Sequence, residues 1–220
     1  MLLFGNLLFP DGTGNSINFM YLCLLEDIDT IKTYSWGYAV LAYLYSSLCK
    51  NAKKDSCKFY GCAFLLQAWG WWRIPRLVPE NPHIFVFPYA SRFNATGLNY
   101  SLTPKNKIIF YRQLLDRLRS QDFTWRPYLE LGHEPNEADA TVCTAKTPII
   151  RFTTVEMHHS DRVKLQFGMH REIPCPPMCL DPWHLKKVSN QWYRQNWKSF
   201  AKDFRKMWGR RSKNVIVNRD

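Results

Sequence analysis

The sequence predicts an α+β fold that is mainly α-helical, with a helical body, a small β component and a basic amphipathic helix near the C-terminus. Three observations predict this fold. Apolar residues recur at helical spacing in several segments, residues 148–158 alternate as a β-strand does, and residues 183–220 combine eleven Lys and Arg with regularly spaced aromatic rings. At 220 residues, the chain is long enough for one sizeable core or two small ones.

The first third of the chain predicts three helices. The first is short and lies within residues 17–27. The second begins after Ser35, a candidate N-cap, and runs to about residue 49 with a buried stripe of Trp36, Val40, Leu44 and Leu48. The third runs from residue 57 to about residue 73, where Pro75 ends it, and its inward residues are Cys62, Leu65, Leu66, Trp69 and Trp72.

The middle of the chain is less regular. Residues 79–100 contain several turn signals and are interpreted as a long connector. Thr103 and Pro104 then open a helix whose apolar face is Ile108, Tyr111, Leu115 and Leu118. Residues 124–131 are interpreted as a strand and residues 134–139 as an acidic loop.

The last third combines the β component with the basic helix. Residues 148–158 predict a strand, residues 160–168 a short helix, and residues 174–182, with four prolines, a rigid linker. We therefore expect a body over residues 1–182, a basic aromatic helix over 183–209 that packs on or continues the same domain, and a flexible tail over 210–220.

Charge is concentrated at the C-terminal end. Residues 183–220 hold eleven basic and two acidic residues, which is nine of the twelve net positive charges. In a helix, the aromatic residues and the cations would occupy different faces. The residues expected to bind nucleic acid or a protein partner are Arg194, Lys198, Lys202, Arg205, Lys206, Arg210, Arg211, Trp197 and Phe200. The alternative is a solvated basic face that only keeps the protein soluble.

The seven cysteines are odd in number and irregularly spaced, which favours free thiols in a reducing compartment. Residues 1–9 are apolar but lack a basic start, so they make a poor signal peptide. The apolar run over residues 59–72 is too short to span a bilayer, and no membrane association is expected.

Two groups of residues have the composition of a metal site. Cys175 and Cys179 with His184 and His170 are the best zinc candidate, although stiff prolines separate the cysteines and we expect ordinary linker thiols. His158 and His159 with Glu156 and Asp161 are assigned a structural role, because adjacent strand residues point to opposite faces.

In that structural reading, Glu156 and Arg162 form a buried or half-buried ion pair that fixes the strand to the following helix. Trp36, Trp69 and Asp161 are likewise predicted to be structural. A nucleophilic pair of Cys143 with His133 or His158 stays open. Nothing in the spacing supports it, because such pairs assemble in space and not at a fixed spacing along the chain.

Several ordered blocks resemble one known family, the plant mobile domain. They are LLFPD at 7–11, YSWGYAVLAYLY at 34–45, GCAFLLQAW at 61–69, WRPY at 125–128, VEMH at 155–158 and DRVKLQFG at 161–168. The resemblance covers roughly residues 1–200. Family members usually have a further N-terminal portion, so we expect the chain to start inside the domain. A Glu-Arg pair also commonly follows the tryptophan-rich helix, whereas here Trp72 precedes Arg73.

The resemblance implies a nuclear plant protein linked to meristem maintenance and transposon silencing, which acts through protein partners. Some relatives carry a serine/threonine phosphatase, which nothing here resembles, and no lysine stands out for the chemistry of the label "aminotransferase-like". We therefore expect a non-enzymatic interaction module without cofactor, metal or small-molecule substrate. The alternatives are a DNA- or RNA-binding protein derived from a transposable element and, third, a cryptic enzyme.

Overall fold

The computed structural model describes residues 3–10, 19–52, 59–78, 108–132, 136–178, 180, 183 and 190–218. The chain divides into two compact units, one formed by Met1–Ala63 with Pro135–Asp220 and the other by Phe64–Glu134. The sequence-based boundaries had placed residues 1–182 in a single body. The predicted connector over residues 79–100, and the helix start at Thr103 and Pro104, lie outside the described residues.

The predicted fold class is confirmed, since the chain is mainly helical with a small two-stranded sheet. The helices and strands are α1 (Ile28–Ile31), α2 (Trp36–Asn51), α3 (Ala63–Arg73), α4 (Ile108–Asp116), α5 (Glu137–Thr144), β1 (Thr147–Arg151), β2 (Thr154–His158) and α6 (Asn190–Gly209). Short 3-10 helices include Phe19–Leu24, Leu129–Leu131, Ser160–Arg162, Lys164–Phe167 and Arg211–Asn214, and Leu3–Leu8 form a π-helical turn.

The strand predicted over residues 148–158 is an antiparallel hairpin of β1 and β2. Thr147 lies opposite His158, and Arg151 lies opposite Thr154. The reversal uses Phe152, which adopts a positive φ of 49° without being glycine. The ring of Phe152 meets the ring of Tyr21 edge-on, with 5.4 Å between centroids. This ring contact anchors a turn that the sequence does not mark with glycine.

Helix α2 packs against both strands of the hairpin. Val40 and Leu44 are each 4% exposed, as predicted, but Leu48 is 38% exposed, so the predicted stripe does not extend to it. Ser35 precedes the helix as expected, although its side chain makes no capping hydrogen bond. Gly61 has a φ of +95°, and a Cβ there would lie 3.3 Å from the Leu44 Cα, so glycine lets the chain pass close to α2.

Trp36, for which a structural role was predicted, packs among aromatic residues. Its ring lies edge-on to Phe4, with 4.9 Å between centroids, and its Nε1 donates to the Ile31 carbonyl at 2.9 Å. Phe9 and Tyr21, which are 4% and 2% exposed, stack beside it with their ring centroids 5.0 Å apart. An aromatic core therefore joins the start of the chain to the start of α2.

The sequence suggested a flexible tail over residues 210–220, but residues 214–217 of this segment make backbone hydrogen bonds with the body. Lys146 N donates to the Asn214 carbonyl at 2.8 Å, and Ile216 N donates to the Thr144 carbonyl at 3.2 Å. Ile216 is 9% exposed, and the amine of Lys164 donates to the Val217 carbonyl at 2.9 Å. Residues 214–217 stay ordered because their backbone groups pair with the chain that enters β1.

The acidic loop predicted over residues 134–139 is largely the first turn of α5. The Asn136 side chain accepts a hydrogen bond from Asp139 N at 2.8 Å, and Asn136 caps the helix. Glu137 and Asp139 lie in the first turn, where the helix dipole favours carboxylates. The prediction of a loop was wrong for Glu137 and Asp139, which lie in the first turn of a helix, whereas Glu134 is outside the described residues.

The second unit is built around α3. Trp72 is 6% exposed, and the half-buried Trp69 lies 5.0 Å from the buried guanidinium of Arg73, which also lies 5.6 Å from the Tyr128 ring. Trp69, for which a structural role was predicted, thus contacts a buried cation. The strand predicted over residues 124–131 was wrong, since this segment contains the 3-10 turn Leu129–Leu131 and ends at Gly132 with φ 68°.

Two apolar faces predicted in the second unit are more exposed than expected. Ile108 on α4 is 81% exposed, and Leu65 on α3 is 44% exposed. Among the described residues, no helix is both long and apolar enough to cross a membrane.

Candidate nucleic-acid and partner interface

Helix α6 packs its apolar face against the hairpin. Phe200 and Ala201 are each 7% exposed and cluster with the fully buried Val155. The ring of Trp183 meets Phe200 edge-on, with 5.0 Å between centroids, and Phe204 packs beside them. The expectation that Phe200 contacts a partner is therefore wrong, because its ring belongs to the core of its own unit.

The opposite side of α6 carries cations. Lys202, Arg205, Lys206 and Arg210 are all exposed, and we call these four residues the cationic face. Arg210 N donates to the Lys206 carbonyl at 3.2 Å, so the helical path continues through it. Lys202, Lys206 and Arg210 are four residues apart, which aligns them over roughly 12 Å at the helical rise. The face can therefore meet several anionic groups at once.

The remaining cations and the tryptophan predicted on this helix have other positions. Arg194, Trp197 and Lys198 lie within α6, but their side chains are outside the described part of the structure. Arg211 is half-buried, donates to the Trp208 carbonyl at 3.2 Å and places its guanidinium 4.6 Å from the Trp208 ring. Arg211 therefore satisfies the end of α6, and it is less open to a partner than the cationic face.

A cavity of about 350 Å³ lies beside the cationic face, inside the first unit. It is bounded by the start of α2, the hairpin reversal and the last turns of α6. Half of its described lining residues are aromatic, and the charged ones are Arg151 and Arg205. The described lining consists of Phe9, Tyr21, Leu24, Thr33, Tyr34, Ser35, Trp36, Tyr38, Ala39, Ile150, Arg151, Phe152, Arg205 and Trp208. Arg205 thus belongs to both the cavity and the cationic face.

Arg151 is held by aromatic rings. Its guanidinium carbon lies 3.7 Å from the centre of the Tyr43 ring and 5.2 Å from that of Phe9. Its Nε also donates to the Tyr21 hydroxyl at 3.1 Å. Burial raises the pKa of Tyr21, against the opposing effect of Arg151, so the phenol is neutral near pH 7. The cation is thus fixed in position by neutral groups.

Near the opposite end of the hairpin, His158 performs a structural task. It is 8% exposed, its Nε2 lies 3.1 Å from the Cys143 carbonyl, and its ring meets Tyr38 edge-on at 5.5 Å. Burial lowers the pKa of His158, which favours the neutral ring. Because a carbonyl only accepts, Nε2 carries the proton.

The predicted ion pair of Glu156 with Arg162 does not hold the hairpin. Glu156 is 6% exposed on β2, as a structural residue should be, but the side chain of Arg162 is exposed. The pair that fixes this region is Lys146 with Asp161, whose Nζ and Oδ2 are 2.6 Å apart. Asp161, for which a structural role was predicted, therefore pairs with Lys146.

Comparison with known proteins identifies the family. The family model described as "Plant mobile domain" matches residues 1–220. The chain belongs to the plant mobile domain family. Protein MAIN-LIKE 2 of Arabidopsis thaliana is 32% identical over 182 residues, which are 79% of this chain and 27% of the relative. Protein MAINTENANCE OF MERISTEMS of the same plant is 26% identical over 97% of this chain and 43% of the relative.

A third relative has an enzyme name. The Serine/threonine-protein phosphatase 7 long form homolog of Arabidopsis thaliana is 30% identical over 80% of this chain, which is 14% of the relative. The chain thus spans between 14 and 43% of the length of these relatives. No solved structure matches this plant mobile domain significantly.

The candidate metal and nucleophilic residues of this plant mobile domain do not converge where the structure describes them. Cys175 and His170 are exposed, and Cys179 and His184 lie outside the described residues. Within the described part of the chain, no group of three or more His, Cys, Asp and Glu could hold a metal ion.

The nucleophile hypothesis meets an opposing effect. Partial burial raises the pKa of the Cys143 thiol, and Asp139 raises it further, whereas a reactive cysteine needs a lowered pKa. His158 faces the Cys143 carbonyl, as described above, and His133 is outside the described residues.

Sequence reasoning missed Arg151 and Tyr21 of this plant mobile domain. The two residues meet only because the chain reverses at Phe152 and brings β1 onto the N-terminal segment. The available signal was an arginine within an otherwise apolar β run, followed by Phe152 and two threonines. Such a cation needs a specific neighbour when it is half-buried.

Proposed function

We propose that this plant mobile domain is a non-enzymatic interaction module that binds nucleic acid through the cationic face. The single observation that carries the proposal is the division of α6 into a buried aromatic face and an exposed basic one. The ring of Phe200 is buried in the core, whereas Lys202, Arg205 and Lys206 are exposed. The described exposed residues of α6 include one acid, Asp203, but the cations outnumber it, so α6 offers a partner a net positive charge that a phosphate backbone complements.

An acidic protein is the competing partner. The sequence favoured protein partners because the family resemblance implies them, and the aromatic residues of α6 were expected to contact either the body or a partner. Hot spots of protein interfaces are enriched in Trp, Tyr and Arg that are desolvated at the centre. The described part of the cationic face has arginines and lysines but takes no aromatic ring from Phe200 or Phe204, which supports nucleic acid as the partner.

The setting that we propose is the nucleus, with a link to meristem maintenance and transposon silencing as the family resemblance implies. The non-enzymatic part of the proposal is supported by the raised pKa of Cys143 and by the structural role of His158. Neither residue is prepared for nucleophilic or general acid–base chemistry.

The test is a binding titration with single-stranded and double-stranded oligonucleotides. We expect the double variant Lys202→Glu with Lys206→Glu to weaken binding at least about tenfold, since two phosphate contacts become repulsions. The matched control is Arg162→Glu with Arg171→Glu, which changes the net charge equally at two exposed residues outside α6. We expect the control to change affinity by less than about threefold.

Equal losses in both double variants would mean that only net charge matters, and the cationic face would then not be the binding surface. An acidic peptide that binds more tightly than either oligonucleotide, and in moderate salt, would favour the protein partner instead.

A further inference from the structure

The cavity beside the cationic face has the chemistry of an anion site. Among the residues that the structure describes, its lining includes Arg151 and Arg205 but no aspartate or glutamate. Its volume of about 350 Å³ lies within the range of small-ligand pockets. A cavity lined by cations and rings, without a carboxylate, attracts a ligand that is both negative and flat.

Arg151 is the residue on which the inference depends. It is half-buried, and no carboxylate forms an ion pair with it among the residues that the structure describes. Its charge is met by ring faces and by the neutral Tyr21 phenol. A half-buried guanidinium that is held in place without a counter-ion is ready to receive an anionic group.

We propose that this cavity binds one unstacked nucleotide, with its base among the aromatic rings and its phosphate at Arg151 and Arg205. Aromatic side chains such as Trp36 and Trp208 give the base an apolar surface, and base–aromatic stacking tolerates any base. The inference rests on the proposed function and deepens it, because Arg205 would connect this nucleotide to the strand along the cationic face.

Two other ligands that bind in aromatic-lined cavities fit this one less well. A methylated lysine is a cation, and two arginines would repel it. A phosphotyrosine side chain is also a flat anion, but Arg205 lines the cavity, and further cations continue from Arg205 along α6. That continuity favours a ligand with phosphates on both sides of the bound ring, which is a nucleotide within a strand.

The experiment is calorimetric titration of the whole chain with adenosine 5′-monophosphate, adenosine, inorganic phosphate and phosphotyrosine. We expect the monophosphate to bind with a stoichiometry of one, and more tightly than each of the other three probes. Arg151→Met removes the charge and keeps an apolar side chain, so it should weaken monophosphate binding at least about tenfold. Arg162→Met, at an exposed arginine outside the cavity, is the matched control and should leave the affinity unchanged.

A second variant guards against unfolding of Arg151→Met. Ser35 lines the cavity, is exposed and makes no capping hydrogen bond, so Ser35→Trp should occupy part of the cavity volume and keep the fold. We expect this variant to lose monophosphate binding while its circular dichroism and melting temperature match the parent chain. Retained monophosphate binding in a folded Ser35→Trp variant would overturn the inference.

The inference and the proposed function can fail separately. If the oligonucleotide needs Lys202 and Lys206 but the monophosphate does not bind, the cavity proposal is wrong and the cationic face stands. If the monophosphate binds in an Arg151-dependent way but oligonucleotides do not, the strand-binding proposal is wrong. Tighter binding of phosphotyrosine than of the monophosphate would assign the cavity to a modified protein and overturn the nucleotide assignment.

Discussion

Burial determines the charge state of His158 in β2. The ring is 8% exposed, donates to the Cys143 carbonyl and contacts Tyr38 edge-on. Arg151, near the turn end of the same hairpin, lies next to ring faces and a phenol. The buried His158 ring is thus favoured in its neutral form, whereas the Arg151 guanidinium interacts favourably with the aromatic rings around it. Both arrangements depend on the exclusion of water.

The pH dependence of stability follows from His158. Its folded pKa is lowered from 6.5, so below that pH the unfolded chain takes up a proton that the folded chain does not. Stability should be flat at higher pH and should fall as the pH drops below about 6.5 towards the folded pKa. His158→Gln keeps a donor for the Cys143 carbonyl and should reduce this fall, as measured by urea unfolding at several pH values.

The control for that prediction is His170→Gln, because His170 is exposed. Burial also lowers the pKa of His159, so part of the fall should remain in the His158→Gln variant. An identical pH profile in the parent chain and in His158→Gln would contradict the assignment.

At the level of elements, the segment after α6 completes the hairpin unit. It forms an isolated bridge between Ala145 and Val215, and Ile216 is buried beneath it. Ile216→Ala should lower the free energy of unfolding by about 2 kcal/mol, because it removes buried methyl groups and leaves a void. Val217 is 63% exposed, and Val217→Ala should change stability by less than about 0.5 kcal/mol. Thermal or urea unfolding of both variants checks the contrast, and equal effects would mean that the segment is not held by Ile216.

The same scale explains what the sequence could predict. Helix α2 was recovered with its start and its buried Val40 and Leu44, because a long apolar period signals a helix directly. The division of α6 into an aromatic and a basic face followed from the same periodicity. The periodicity did not show which face would be buried, because that depends on contacts with Val155 and Trp183, which lie outside the helix.

The hairpin and the C-terminal segment were missed for a related reason. The reversal at Phe152 lacks the Gly or Asn that usually marks a tight turn, and it is stabilised instead by the distant Tyr21 ring. The segment at residues 214–217 is too short for a periodic signal and is ordered by hydrogen bonds to residues 144 and 146. Non-local contacts of this kind are the part of a site that sequence patterns do not encode.

At the scale of the whole molecule, the net positive charge is concentrated near the C-terminal end of the sequence. Residues 183–220 hold nine of the twelve net positive charges, and the cationic face lies within them. A local concentration of charge steers an anionic partner to one surface, whereas the same charge spread evenly would mainly aid solubility. A binding role and a solubility role for this charge differ in how the affinity for an oligonucleotide depends on salt.

We expect oligonucleotide affinity to fall steeply between about 50 mM and about 200 mM salt, because each phosphate contact releases condensed counter-ions. Lys202→Glu with Lys206→Glu should reduce the slope of log affinity against log salt by about 1.4 for a single strand, the value for two lost contacts. Arg162→Glu with Arg171→Glu changes the net charge equally but removes no contact of the cationic face, so its slope should match that of the parent chain. Fluorescence anisotropy at several salt concentrations measures all three slopes. If the two double variants give the same slope, the surface acts only through net charge, and the basic face of α6 is a solvated one.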